Sequence, residues 1–263
     1  MKTVLTLGQI ADLKFLGHMC WESGADLVII GATSLLLSMG ELGRFTRDVD
    51  VTVALDLDEF GLLTDRLASA GWKREPKLEH RWVAPRQTIV DLLPAGPTLR
   101  RNGSILWPAS QFTMSLAGFD HVFANAVDME LLAGTRVRVA PPIVTVLLKI
   151  IAYVEDPHRR AKDLQDIRLV LGRYEASSNR LFSDEVFDAG LPDFEMANAF
   201  LLGRDLRALA TTEDSTYVEK FLDRLLSLEE GAGAYEDDFT AEVFRRQIRG
   251  LRKGFGKPMP QTD

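Results

Sequence analysis

The chain has 263 residues, 46% of them hydrophobic, and a net charge of −7, enough apolar material for one large domain or two smaller ones. Its single cysteine, Cys20, excludes an internal disulfide and a cysteine-rich zinc site. No apolar run reaches the roughly 18 residues of a membrane span, and the first residues turn polar too early for a secretory signal, so a cytoplasmic protein with no membrane partner is expected.

Residues 7–22 set Ile10, Leu13, Leu16 and Cys20 near one helical face behind a Thr6 cap. Leu27 to Ile30 reads as a buried strand ending at Gly31, and Ala32 to Met39 as a short helix closed by Gly40. Thr46 to Leu55 alternates Val49, Val51 and Val53 with Asp48, Asp50 and Thr52, the pattern of a half-buried strand. Asp58 is placed to cap a helix through Phe60, Leu63, Leu67 and Ala70. Strands follow at 81–83 and 88–93, then a loop from Pro94 to Gly103, then short strands at 127–131 and 136–139. From Pro141 the pattern becomes helical, at 143–155, 159–173, 194–210, 214–230 and 239–252. The chain thus divides into an α/β domain over 1–140 and a helical domain over 141–263.

The chemistry-bearing stretch is Gly31-Ala32-Thr33-Ser34 followed by Arg44-Phe-Thr46-Arg-Asp48-Val-Asp50. Alternation along a strand puts Asp48 and Asp50 on one face, their Cα atoms about 7 Å apart. Two carboxylates so placed are suited to a divalent cation shared with phosphate oxygens, Mg²⁺ or Mn²⁺. The Gly31 turn leads into a helix N-terminus, whose N–H groups and dipole favour a phosphate, and Thr33 and Ser34 offer hydroxyls beside it. A lone Asp-x-Asp is more often a solvated strand face; its conjunction with the glycine turn is what points to nucleotide chemistry.

These residues resemble the AbiEii-type nucleotidyltransferases, a toxin family of the DNA polymerase β-like superfamily that includes the MenT toxins. Gly31, Asp48 and Asp50 match the superfamily motif, and Arg44-x-Thr46-x-Asp48-x-Asp50 is the family's form of its second element. The third carboxylate matches Asp91, in Ile-Val-Asp-Leu-Leu-Pro. Lys149 and the run Lys162-Asp163-Leu-Gln-Asp166 match the family's lysine and its Asp-x-x-Asp. The likeness spans roughly residues 25–210, including Trp107-Pro108, Gly118-Phe119 and Leu201-Leu-Gly-Arg-Asp205. It departs at Ala32, where many relatives carry a serine hydroxyl for the phosphate.

The resemblance implies a polymerase β-like nucleotidyltransferase domain with a mixed sheet, followed by an α-helical C-terminal domain. It implies transfer of a nucleoside monophosphate from an NTP to an acceptor hydroxyl, with Asp48, Asp50 and Asp91 holding Mg²⁺. Gly31, Ala32, Thr33, Ser34, Arg44, Thr46 and Lys149 would bind nucleotide, and Asp163 would orient Lys149. The acceptor it implies is an RNA, at the 3′ end of a tRNA, and the setting a toxin–antitoxin or phage-defence system with a cognate antitoxin. A small-molecule hydroxyl of the antibiotic-modifying kind, and a non-catalytic nucleotide- or RNA-binding regulator, are the alternatives.

Each residue also has a plain structural reading. Asp91 would cap its loop, Lys149 would snorkel beside its apolar stripe, and Asp163 and Asp166 would lie on an exposed, salt-bridged helix. Charge is unevenly spread: residues 212–240 carry −7 and residues 241–263 carry +4, which leaves −4 for residues 1–211. Arg245, Arg246, Arg249 and Arg252 make the last helix basic. That helix is a surface either for RNA phosphates or for carboxylates of the acidic stretch.

Overall fold

The computed structural model describes residues 5–40, 48–227 and 238–256. Its first helix, α1 (Leu7–Glu22), starts at a reciprocal cap: Gln9 N–H donates to the Thr6 hydroxyl, and Thr6 N–H to the Gln9 side chain. The helix buries Ile10, Leu13, Leu16 and Cys20, and burial pushes the Cys20 thiol up to about 12, which leaves it a packing residue. Strand β1 (Leu27–Ile29), helix α2 (Gly31–Met39), strand β2 (Asp48–Val53) and helix α3 (Leu57–Ser69) follow. Gly40 closes α2 in the left-handed conformation. The expected cap of α3 moves from Asp58 to Asp56, whose N–H donates to Glu59.

Next come β3 (Lys73–Glu75), β4 (Leu78–Val83) and β5 (Ile89–Pro94). Within the expected loop at 94–103 a short helix forms, α4 (Pro97–Asn102), because the Asp56 carboxylate accepts from the Thr98 and Leu99 N–H groups. Strands β6 (Ser104–Leu106) and β7 (Thr113–Ser115) form a separate hairpin. Helix α5 (Phe119–Asn125) precedes β8 (Val127–Glu130) and β9 (Arg136–Val139).

Among the described residues seven strands make one mixed sheet in the order β3-β4-β5-β2-β1-β9-β8. At its centre β2 runs parallel to β5 and antiparallel to β1, which runs parallel to β9. Val49, Val51 and Val53 are wholly buried on one face of β2, so the alternation that sinks them turns Asp48 and Asp50 to the other face.

The chain divides into two units, Met1–Thr145 and Val146–Asp263. The second carries most of α6 (Pro142–Glu155), then α7 (Asp163–Arg173), α8 (Asp184–Phe187), α9 (Ala197–Leu209), α10 (Thr212–Ser227) and α11 (Asp238–Phe255). Its densest contact is the crossing of α9 and α11, where Gly203 and Gly254 let backbone meet backbone. A Cβ on Gly203 would collide with the Leu251 carbonyl, and one on Gly254 with the Phe200 carbonyl. Beside it Asp205 accepts two hydrogen bonds from Arg180 and one, 2.6 Å long, from the Tyr174 hydroxyl. The Leu-Leu-Gly-Arg-Asp motif therefore has structural reasons for its glycine and its aspartate.

Candidate active site

The sheet brings the sequence-distant acids together by register. Asp50 pairs directly with Asp91 across β2 and β5, and Asp91 pairs with Arg81 across β5 and β4. Paired residues share a face, so Arg81, Asp91 and Asp50 form a row across three strands, with Asp48 two residues along β2 on the same side. Arg81 Nε donates to Asp91 Oδ1 at 2.7 Å, and Nη2 donates to Asp91 Oδ2 at 2.7 Å and to Asp48 Oδ2 at 2.8 Å. The bond to Asp91 leads the influences that raise the Arg81 pKa further above the ordinary arginine value; partial burial opposes it, and the charges of Asp91, Asp48 and Asp50 reinforce it. Solvent reaches this row: Arg81 is 30% exposed and Asp48 34%, whereas Asp91 is 13%.

Gly31 is the hinge between β1 and α2. Its φ of +66° suits glycine, and a Cβ there would collide with the Asp50 carboxylate, 2.9 Å from Cγ. The Asp50 side chain therefore lies against the Gly31 backbone at the N-terminus of α2, and Ile30 N–H donates to the Asp50 carbonyl at 2.9 Å. Thr33 and Ser34 are fully buried. The Thr33 hydroxyl donates to the Asp48 carbonyl at 3.1 Å. The Ser34 hydroxyl lies 2.8 Å from both the Gly31 carbonyl and the Thr145 hydroxyl. Both hydroxyls are engaged within the protein: Thr33 ties the turn to β2, and Ser34 ties it to its own first residue and to Thr145 of α6. With Ala32 buried as well, the first-turn N–H groups, which lack intrahelical acceptors, are the groups of this turn whose chemistry suits an anion. Arg44 and Thr46 lie outside the described residues.

In the second unit Lys149, on α6, is buried between two acids of α7. Its Nζ lies 2.8 Å from Asp163 Oδ1 and 2.8 Å from Asp166 Oδ2, with Arg160 3.7 Å from Asp163. Burial, the largest single influence, pushes the Lys149 pKa down, but the charges and hydrogen bonds of Asp163 and Asp166 together outweigh it and hold the ammonium above the ordinary lysine value. The snorkelling reading of Lys149 and the exposed-helix reading of its partners are thereby corrected. Helix α7 begins at Asp163 rather than 159, so both acids sit in its first turn, pointing inward and next to the positive end of its dipole. Asp166 holds the lysine on equal terms with Asp163.

The basic face of α11 is largely engaged. Arg245 pairs with Glu242, Arg246 with Asp193, and Arg252 with Asp223 in the acidic stretch, while Arg249 is exposed.

The residue that sequence reading missed is Arg81. It was placed only as the start of a strand, yet residues 81 and 91 are equidistant from Arg86 in the β4–β5 turn, and counting outward pairs them.

The donor set of the acid row suits a hard divalent cation: carboxylate oxygens on one strand face, beside a turn that a side chain at Gly31 would fill. Among the described residues, though, no group of three acidic, histidine or cysteine side chains already converges on one metal position. The arginine lies between two of the acids.

A family model for the nucleotidyl transferase AbiEii toxin of type IV toxin–antitoxin systems matches residues 15–242. No curated protein matches in sequence. Solved structures to which the chain is similar include an antigenic nucleotidyltransferase-like protein from Paracoccidioides brasiliensis, at 18% identity, covering 60% of this chain and 72% of that one with a TM-score of 0.41. They also include ANT(2″)-Ia in complex with adenylyl-2″-tobramycin, at 17% identity, covering 61% and 86% with a TM-score of 0.40. A third is a candidate nucleotidyltransferase from H. pylori, at 14% identity, covering 95% and 97% with a TM-score of 0.40. Among the described residues no helix is long and apolar enough to cross a membrane. Matched by the family model over most of its length, the chain belongs to the AbiEii nucleotidyltransferases and is an enzyme of that class.

Proposed function

We propose that the protein moves a nucleoside monophosphate from an NTP to an RNA hydroxyl, at the 3′ end of a tRNA, as the toxin of a system that includes an antitoxin. The observation that carries the transfer chemistry is the acid row: Asp50 and Asp91 in direct register, Asp48 on the same face, and Gly31 without a side chain against Asp50. Asp48, Asp50 and Asp91 would hold Mg²⁺ or Mn²⁺, which when bound supplies positive charge to the triphosphate and acidifies the acceptor hydroxyl. The first-turn N–H groups of α2 would receive phosphate oxygens. Asp91 would accept the acceptor's proton at a carboxylate oxygen as the new oxygen–phosphorus bond forms and pyrophosphate leaves.

For Lys149 and Asp163 the assignment to the reaction rests on the family motif and on the buried cluster they form with Asp166. With Arg160 beside Asp163 the cluster's two cations only balance its two carboxylates, so Lys149 would act through one directed N–H rather than through surplus charge. The RNA acceptor rests on the sequence resemblance to the MenT toxins alone; the α11 arginines, mostly paired with acids, lend it little.

The test is incubation with each labelled NTP, Mg²⁺ and total RNA, beside Asp48→Ala and Asp50→Ala controls. Label in tRNA that vanishes in both variants is the expected result. Full transfer by both variants would overturn the acid row as the site. Transfer to an aminoglycoside but to no RNA would replace the acceptor.

A further inference from the structure

The acid row contains a cation of its own, and it stands where a metal would stand. Arg81 Nη2 reaches both Asp91 Oδ2, at 2.7 Å, and Asp48 Oδ2, at 2.8 Å. A divalent ion held by Asp48 and Asp91 would draw on the carboxylates that the guanidinium already engages, at its own, shorter, bonding distance. Cation and guanidinium cannot both occupy that gap. The register makes the arrangement hard to avoid: Arg81 is the direct cross-strand partner of Asp91, in a strand pair closed by a short turn, and its two-pronged grip on the carboxylate is the geometry arginine prefers. Three carboxylates on one face repel one another, and Arg81 offsets part of that repulsion. Since the row is only partly buried, the guanidinium has solvent beside it and can exchange partners.

We propose that Arg81 is a resident counter-cation that competes with the divalent metal for Asp48 and Asp91, so that metal binds weakly alone and tightly when a nucleotide arrives with it. This inference rests on the metal-dependent reading above. When the metal enters, the displaced guanidinium gains a bidentate partner in the incoming phosphates, chemically equivalent to the carboxylate it leaves. Loading is thereby coupled: metal and nucleotide each lower the cost of the other's entry.

The experiment is titration of Mn²⁺ into wild type, Arg81→Gln, Arg81→Lys and Asp48→Asn by calorimetry, with and without a non-hydrolysable NTP analogue, and melting of each in chelator. Arg81→Gln should bind Mn²⁺ alone about tenfold tighter than wild type, and the gain that the analogue gives wild type should shrink. Its melting temperature in chelator should fall and be restored by Mn²⁺, which a merely structural arginine would not produce. Should Arg81→Gln not fold, Arg81→Lys, which keeps the charge and loses the fork, is held to the same criterion: tighter Mn²⁺ binding than wild type. Unchanged or weaker Mn²⁺ affinity, with Asp48→Asn still abolishing binding, overturns the Arg81 inference and leaves the metal reading standing. If Mn²⁺ binds none of the proteins even with the analogue, both fall.

Discussion

Two charge clusters in this molecule share a plan, one cation between two carboxylates, and differ in their surroundings. Arg81 between Asp91 and Asp48 is open to solvent on a sheet face. Lys149 between Asp163 and Asp166 is largely withdrawn from solvent between α6 and α7, itself 11% exposed and its acids 5% and 0%. An exposed ion pair contributes at most about 1 kcal/mol and can re-form with other partners. A buried one is held by the penalty for leaving either charge alone, about 3–5 kcal/mol when one partner is removed. The first arrangement suits an exchange of ligands. The second suits a fixed point.

The contrast is broken most severely at the lysine. Lys149→Met should lower unfolding stability by about 3–5 kcal/mol in urea titration, because two acids are left buried without a cation. Adding Asp163→Asn and Asp166→Asn should recover much of that loss. The pH dependence follows from the sign of the shift: the folded-state value of Lys149 lies above its ordinary 10.5. The cluster's contribution is therefore fully present below that value and is lost only as pH rises through the higher folded value. A neutralised triple variant should show less alkaline destabilisation than wild type. Equal stability of Lys149→Met and wild type at pH 7 would place the lysine in water.

Gly31→Ala comes next. A side chain there strains a positive φ and displaces the Asp50 carboxylate, for a loss of about 1–3 kcal/mol and of most transfer activity. Thermal melts and labelled-NTP turnover measure the two effects separately. Asp48→Ala should sharpen the comparison from the other side, abolishing transfer while changing stability by no more than about 1 kcal/mol, since Arg81 keeps Asp91. A collapse in its melting temperature would make the row as structural as the buried cluster. The smallest effect is expected at Arg252→Ala, which breaks an exposed pair with Asp223. It should alter stability by under about 1 kcal/mol and leave the salt dependence of acceptor KM where it was; a flattened slope would return α11 to RNA binding.

What the amino-acid order made legible was what repeats locally. The valine alternation places Asp48 and Asp50 on one face, and the β1–Gly31–α2 turn stands where the pattern puts it. Register and burial between distant segments were not legible. The helix α4 owes its first turn to Asp56, which is 42 and 43 residues away from the N–H groups it accepts. Lys149 looked like a surface lysine beside an apolar stripe because nothing near it in the chain announces that α7 covers it. Arg81 was legible in principle, through the symmetry of its hairpin about Arg86, but a charged residue on a short strand reads locally as a solvated one. Thr33 and Ser34 show the same limit: hydroxyls beside a phosphate-type turn invite a ligand role, and their hydrogen bonds to Asp48 and Thr145 are set by distant segments.

The glycine crossing of α9 and α11 has a consequence for the protein's birth. Synthesis proceeds from residue 197 to residue 255 before the backbone of Phe200–Gly203 meets the helix that fits it. A chain terminated before residue 238 would lack the helix that closes this groove. Nothing bulkier than glycine at 203 or 254 could stand in, because the two backbones themselves are the mating surfaces.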